Sequence, residues 1–240
     1  MDYVFQFGVV AENLPLLLRG VRTTCILTGL AIVLGTALGV LCAYLQAAGW
    51  RVVRTVVRGY VEFIRNTPFL IQIFFIAFSV PDLVFTGGQL LGTRLVLRIE
   101  PMTAAVIGMT ISLGGYATEI VRGGIDAVSR GQIEAGRALG LSGMRIFRLI
   151  VLPQAVRIAY PSLASQYVLL MLGSSVVSAI AVEELTGLMN TLRSTTFRDF
   201  EFVFAVTLLY LAMSLAFRAA LAGVYWIAFL RGRPAEAAAR

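Results

Sequence analysis

Four stretches of this 240-residue chain carry no charged side chain: positions 23–50, 66–81, 101–118 and 158–182. A fifth, 201–230, is interrupted after its opening Glu201 only by Arg218. A helix needs roughly 20 apolar residues to cross the hydrocarbon of a bilayer. The runs therefore predict five crossings, and the second is short enough that it must extend back through Glu62 and Arg65. The chain is 58% hydrophobic and 14% charged, whereas soluble domains run closer to about a quarter charged. The expected fold is all-α: a polytopic integral membrane protein of five transmembrane helices, forming one domain over 1–240.

An odd number of crossings puts the termini on opposite faces, and arginine counts orient the chain. With the C-terminus inside, the inner segments hold twelve arginines: Arg51, Arg54, Arg58, the six from Arg122 to Arg157, and Arg231, Arg233 and Arg240. The outer segments hold six: Arg19, Arg22, Arg94, Arg98, Arg193 and Arg198. The expectation is a multi-pass membrane protein, N-terminus out and C-terminus in on the cytoplasmic side. The formal +7 charge is then topological, and nucleic acid is not an expected partner.

There is no histidine, and all twenty basic residues are arginine. Histidine-based metal sites and Ser-His or Cys-His catalysis are excluded within the chain. Without lysine there is no phosphate-cradling loop ending in Gly-Lys-Ser/Thr and no Schiff-base chemistry. No cofactor is expected here, and any ATP and Mg must be bound by a partner. Cys25 and Cys42 lie in the first run, about 25 Å apart on a helix rising 1.5 Å per residue, too far for a disulfide.

Residues 1–18 lack the basic leader of a cleaved signal, since Asp2 and Glu12 stand there. Phe5, Phe7, Val9, Val10 and Leu14 suit a short interfacial helix. Gly35 and Gly39 in the first run form a small-xxx-small pair that permits close helix packing. Thr86-Gly87-Gly88 reads as a turn in the loop before Pro101, and the tail "RGRPAEAAAR" as a short mobile end.

Between the third and fourth runs lies a long segment, about 123–157, containing "GQIEAGRALGLS" at 131–142. Ser129 and Gln132 have capping-box spacing. Two helical turns follow, with Glu134 where a helix start favours a carboxylate. Gly140 suits the left-handed position that ends a helix. A second short helix, about 143–152, is expected to stop at Pro153. Ala135, Gly136 and Ala138 give a nearly bare helix surface, poor at burying anything itself but open to a partner's groove.

The stretch "EAGRALGLSGMRIFRLIVLPQA" resembles the EAA motif of the permease subunits of bacterial ABC importers. Three further blocks, in the same order, are similar to the polar-amino-acid subfamily (His, Glu, Gln, Arg and opine uptake): "EFIRNTPFLIQIFF" at 62–75, "SLGGYATEIVRGGI" at 112–125 and "VEELTGLMNTLRSTTFRDFE" at 182–201. The resemblance implies a type I ABC importer permease for polar amino acids or their derivatives, not itself an enzyme. It implies an ABC ATPase dimer docked on Glu134, Ala135, Gly136, Leu139 and Gly140, an extracytoplasmic solute-binding protein and a second permease subunit. Gly136 stands where the motif has its second Ala, a change that weakens a helix by about 1 kcal/mol.

Ionisable groups near the spans mark candidate pathway residues. Glu62 with Arg65 and Glu119 with Arg122 stand three apart, so each pair reads either as a self-neutralising bridge or as part of the route. An amino acid needs both an acceptor and a donor; Glu119 with Tyr116 supplies the first and Arg65 the second. The fourth run departs from the subfamily: where relatives commonly read Lys-Asp-Thr-Ser-Leu, this chain has Leu172-Gly-Ser-Ser-Val176. Ser174 and Ser175 keep the last two hydroxyls. That departure favours a paralogous partner permease over a second copy of this chain. The other readings are an ABC permease for a different small solute, a stand-alone secondary transporter, which would show duplicated halves, and a membrane scaffold.

Overall fold

The computed structural model describes residues 4–81 and 99–230. Among them the chain is helical throughout, without a strand. A single helical turn, α1 (Gly8–Glu12), leads through Asn13 into α2 (Leu14–Ala48). With Pro15 in its first turn, where the missing N–H has no partner to lose, α2 starts well before the uncharged run and carries Arg19 and Arg22 on its opening turns. Its 35 residues span about 50 Å, more than a bilayer's hydrocarbon.

The second crossing departs from expectation. It is a bent pair: α3 (Arg51–Arg65) meets α4 (Phe69–Phe74, continued by a wide turn at Phe75–Ser79) at 112°. Pro68 disfavours helical backbone at Thr67 and has no N–H to give. The carbonyls orphaned at the end of α3 are answered by buried Gln72, whose Nε2 donates to the Ile64 carbonyl (2.8 Å) and to Thr67 O and Oγ1 (3.0 and 2.9 Å). Glu62 and Arg65 therefore do not sit within a straight crossing. Among the described residues four helices are long and apolar enough to span, five where the bent pair counts as one broken span. The turn at Thr86–Gly88 lies outside the described residues, as does the tail from 231.

The core is α2 against α5 (Pro101–Asp126), packed around Leu27, Ile73, Met109, Leu113 and Val177. The small pair on α2 makes that contact possible. A Cβ on Gly35 would stand 2.8 Å from Leu113 Cβ, and one on Gly39 2.5 Å from Ala117 Cβ. Cys25 and Cys42 are both free thiols.

After α5 come α6 (Arg130–Ala138) and α7 (Gly143–Ile146). The second helix does not stop at Pro153. It widens at Phe147–Val151 and continues as α8 (Leu152–Gly173). Widening to an i→i+5 turn accommodates a proline that has no N–H for the carbonyl four residues back. A 3₁₀ stretch, Ser174–Ile180, and a left-handed Ala181 turn the chain into α9 (Leu185–Thr196). Left-handed Phe197 then leads to α10 (Asp199–Tyr225). A second core, Leu17, Leu185, Phe202 and Val206, holds α9 between the ends of α2 and α10.

Candidate functional site

The hairpin of α6 and α7 is built on its own small core of Val128, Ile146, Val151 and Ala155. Gly140 adopts φ +73°, as its position requires. The Gly140 N–H reaches the Arg137 carbonyl at 2.9 Å and the Leu141 N–H the Gly136 carbonyl at 3.1 Å, the two crossed bonds that close a helix around a left-handed glycine. The N-terminal end differs from expectation. Ser129 is the capping residue by position, but its side chain makes no capping bond. Gln132 is drawn across instead, its Oε1 accepting from Gln154 Nε2 at 2.8 Å, which ties α6 to the start of α8. Because the helix begins at Arg130, Glu134 lies in its second turn, beyond the strongest reach of the helix dipole.

The bare face is also reassigned. Gly136 is buried: a Cβ there would lie 2.8 Å from Ile150 Cδ1 and 3.1 Å from Ile146 Cγ1. It faces the partner helix of its own hairpin, so its smallness serves that internal contact. Glu134, Ala135, Ala138 and Leu139 are exposed. Leu139 and Met144 stand 80% and 74% exposed, open apolar side chains on a segment otherwise rich in arginine.

A charge cluster joins α3 to the end of α5. Glu119 accepts both prongs of Arg122, Nε at 3.2 Å and Nη2 at 2.7 Å, and Arg122 Nη1 also reaches Asp126 at 2.8 Å. Arg65 Nη1 approaches the same Glu119 carboxylate at 3.8 Å. The expected Glu62–Arg65 pair does not form among the described residues. Glu62 instead accepts from Asn66 at 2.9 Å, because the bend after Arg65 carries that arginine over to α5. Arg122 thus gives three hydrogen bonds to two carboxylates, while Arg65 makes only the longer approach to Glu119 and keeps more of its donors in reserve. Tyr116 is half-buried one turn before Glu119 and makes no hydrogen bond to the described residues.

Ser174 and Ser175 turn back on their own helix. Their hydroxyls donate to the Met171 and Leu172 carbonyls at 2.6 and 2.9 Å, the ordinary behaviour of serine in a span. The structure does not bring them to Arg65 and Glu119 as one site. One polar centre went unread in the sequence: Glu184, fully buried. Its Oε1 accepts from the Gly187 N–H at 2.8 Å, capping α9, and its Oε2 from Tyr210 OH at 2.8 Å and Thr24 Oγ1 at 3.4 Å. The only sequence signal for it is an acidic residue at the start of a helix.

A multi-pass helical bundle with a compact helical hairpin set between two of its long apolar helices defines a class, that of polytopic membrane proteins. Residues 35–224 match the family model described as binding-protein-dependent transport system inner membrane component. The nopaline transport system permease protein NocM of Agrobacterium fabrum is 34% identical over 203 residues, 85% of this chain and 83% of that one. The glutamine transport system permease protein GlnP of Escherichia coli is 33% identical over 211 residues, 88% and 92% of the two chains. The crystal structure of an amino acid ABC transporter with histidines superposes with a TM-score of 0.81 at 30% identity, over 93% of this chain and 99% of that one. The chain belongs to the inner membrane component family of binding-protein-dependent transport systems. It is a permease subunit of an ABC importer, a multi-pass inner membrane protein of a family that works with an ATPase and a binding protein.

Proposed function

We propose that this permease serves an importer for polar amino acids or amino-acid derivatives such as opines. The observation that carries the reading is the pair of relatives at 33–34% identity over more than four fifths of this chain, one named for nopaline and the other for glutamine. A permease for another small solute is the reading it displaces.

In this proposal the α6–α7 hairpin docks in a cleft of the ATPase on the cytoplasmic side, which sets the N-terminus out and the C-terminus in. Glu134, Ala135 and Leu139 make the contact. Gly140 ends the helix so that the chain can fold back, and Gly136 lets α7 close beneath it. Closure of an ATPase dimer draws two such hairpins together and tilts the paired spans, switching access as rigid bodies. ATP and Mg belong to the ATPase, and substrate arrives from an extracytoplasmic binding protein. Arg65, with donors left over from its 3.8 Å approach to Glu119, suits a substrate carboxylate, with Tyr116 and Glu119 near it.

Uptake into proteoliposomes holding this permease with its ATPase and binding protein, measured against a panel of amino acids, opines, dipeptides and phosphate, tests the substrate class. Polar amino acids or opines should be taken up, and transport of phosphate or dipeptide alone would overturn the reading. Within the same assay, Glu119→Gln should impair cationic and anionic substrates unequally while leaving assembly intact. Equal loss of assembly and uptake would make the cluster a structural bridge.

A further inference from the structure

The helix α3 divides into three sectors about its axis. Arg51, Arg54, Arg58 and Arg65 recur at spacings of three, four and seven and so share one line. Val57, Val61 and Ile64 are buried against the bundle. The third sector is apolar yet open: Val52, Val56 and Phe63 are 74%, 65% and 63% exposed, and Trp50, just before the helix, is 86% exposed. The 112° bend sets α3 across the direction of α4. The Arg65–Glu119 pair fixes it at the end of α5 from which α6 departs.

We propose that α3 is a docking surface for anionic phospholipid, with its open apolar sector among the acyl chains and Arg51 and Arg58 on the headgroup phosphate. An apolar sector set roughly opposite a cationic one, opened by a tryptophan, is the pattern of a helix lying in a membrane interface. The charges are also unequally engaged. Arg54 Nε donates to the Gln46 carbonyl at 3.1 Å, and Arg65 is turned to Glu119. Of the acids near this line, Glu62 is held by Asn66 at 2.9 Å, and Glu119, which Arg58 faces at longer range, is taken by Arg122 and Arg65. The guanidinium groups of Arg51 and Arg58 make no hydrogen bond or ion pair with the described residues, Arg51 being engaged only through its backbone carbonyl, which accepts from Thr55. Zwitterionic headgroups offer such a line no net charge, whereas phosphatidylglycerol offers one negative charge per molecule. The occupant is thus selected by charge at the headgroup and by apolar surface beneath it. The proposal rests on the membrane-permease reading but not on its substrate.

The test titrates the full-length protein in detergent with phosphatidylglycerol or phosphatidylcholine and counts retained lipid by native mass spectrometry. Wild type should retain phosphatidylglycerol in clear preference. Arg51→Gln with Arg58→Gln should weaken that preference roughly thirtyfold, the effect of two basic residues at a membrane surface. Arg51→Lys with Arg58→Lys should keep most of it, and Arg145→Gln with Arg148→Gln, removing equal charge from the hairpin, should leave it unchanged. Melting temperature and elution volume report folding, and Arg58→Gln alone, weakened to a lesser degree, replaces the double variant if that fails to fold. An unchanged preference in the α3 variant overturns the proposal, as does an equal loss in both Gln doubles. Retained lipid with lost co-purification of the ATPase or second permease would make the line a protein contact and also overturn it. Failure of wild type to co-purify with an ATPase counts instead against the permease reading and leaves the lipid preference standing.

Discussion

Glu183 and Glu184 are chemically identical neighbours with opposite fates. Glu183 reaches outward to Arg19 at 3.8 Å, while Glu184 is enclosed by Tyr210, Thr24 and the start of α9. The left-handed turn at Ala181 decides which one turns in. Removing the inner carboxylate strips the α9 cap and leaves Tyr210 OH with one acceptor fewer. Glu184→Ala should therefore cost about 2–4 kcal/mol and Tyr210→Phe about 1 kcal/mol, read as loss of thermal stability in detergent. Unchanged melting in Glu184→Ala would mean that the carboxylate is not held as described. Gly140 poses the opposite case, a backbone demand legible in advance. At φ +73° a leucine costs about 1–2 kcal/mol and reopens the end of α6. Gly140→Leu should insert normally in the membrane yet abolish transport, and near-normal uptake would remove the hairpin's role in docking.

At the scale of elements, close packing between α2 and α5 depends on two glycines one turn apart. Gly39→Leu would have to push Ala117 and the backbone at Thr118 away, at a cost of about 1–3 kcal/mol or more. Gly29→Leu on the same helix, where a Cβ meets nothing within 4 Å, should be tolerated. A melting-temperature comparison of the two separates packing from helix propensity, and equal losses would refute the contact. These glycines were legible as a spacing, and so were the long spans as uncharged runs, because burial in lipid imposes local rules on composition. The break in the second crossing was not. Pro68 was visible, but the bend is stabilised by Gln72 reaching back eight residues to the Ile64 carbonyl, a contact that exists only after folding. The capping box at Ser129 was misread for the same reason: Gln132 has a better partner in Gln154, 22 residues away. In the charge cluster the individual residues were recoverable from sequence, but the exchange of partners that joins Arg65 to Glu119 follows from the bend.

At the scale of the whole molecule, the proposed importer pairs this chain with a two-fold or pseudo-two-fold mate that completes the route. The fourth crossing bears on which. Leu172 is exposed, and a Cβ added at Gly173 would meet nothing within 4 Å, so this chain's own packing demands neither an apolar residue nor a glycine there. Charged side chains at these positions would fit, yet they are absent. Ser174 and Ser175, turned onto their own backbone, do not replace them. A homodimer would repeat the deficit on both sides of the axis, whereas a paralogous mate can supply a basic or acidic residue opposite Leu172 or Gly173. The expected outcome is therefore that this chain, expressed with only its ATPase and binding protein, shows little substrate-stimulated ATP hydrolysis, and that adding the second permease restores it. Full stimulation without a second permease would establish the homodimer and leave the fourth-span residues as a tolerated departure.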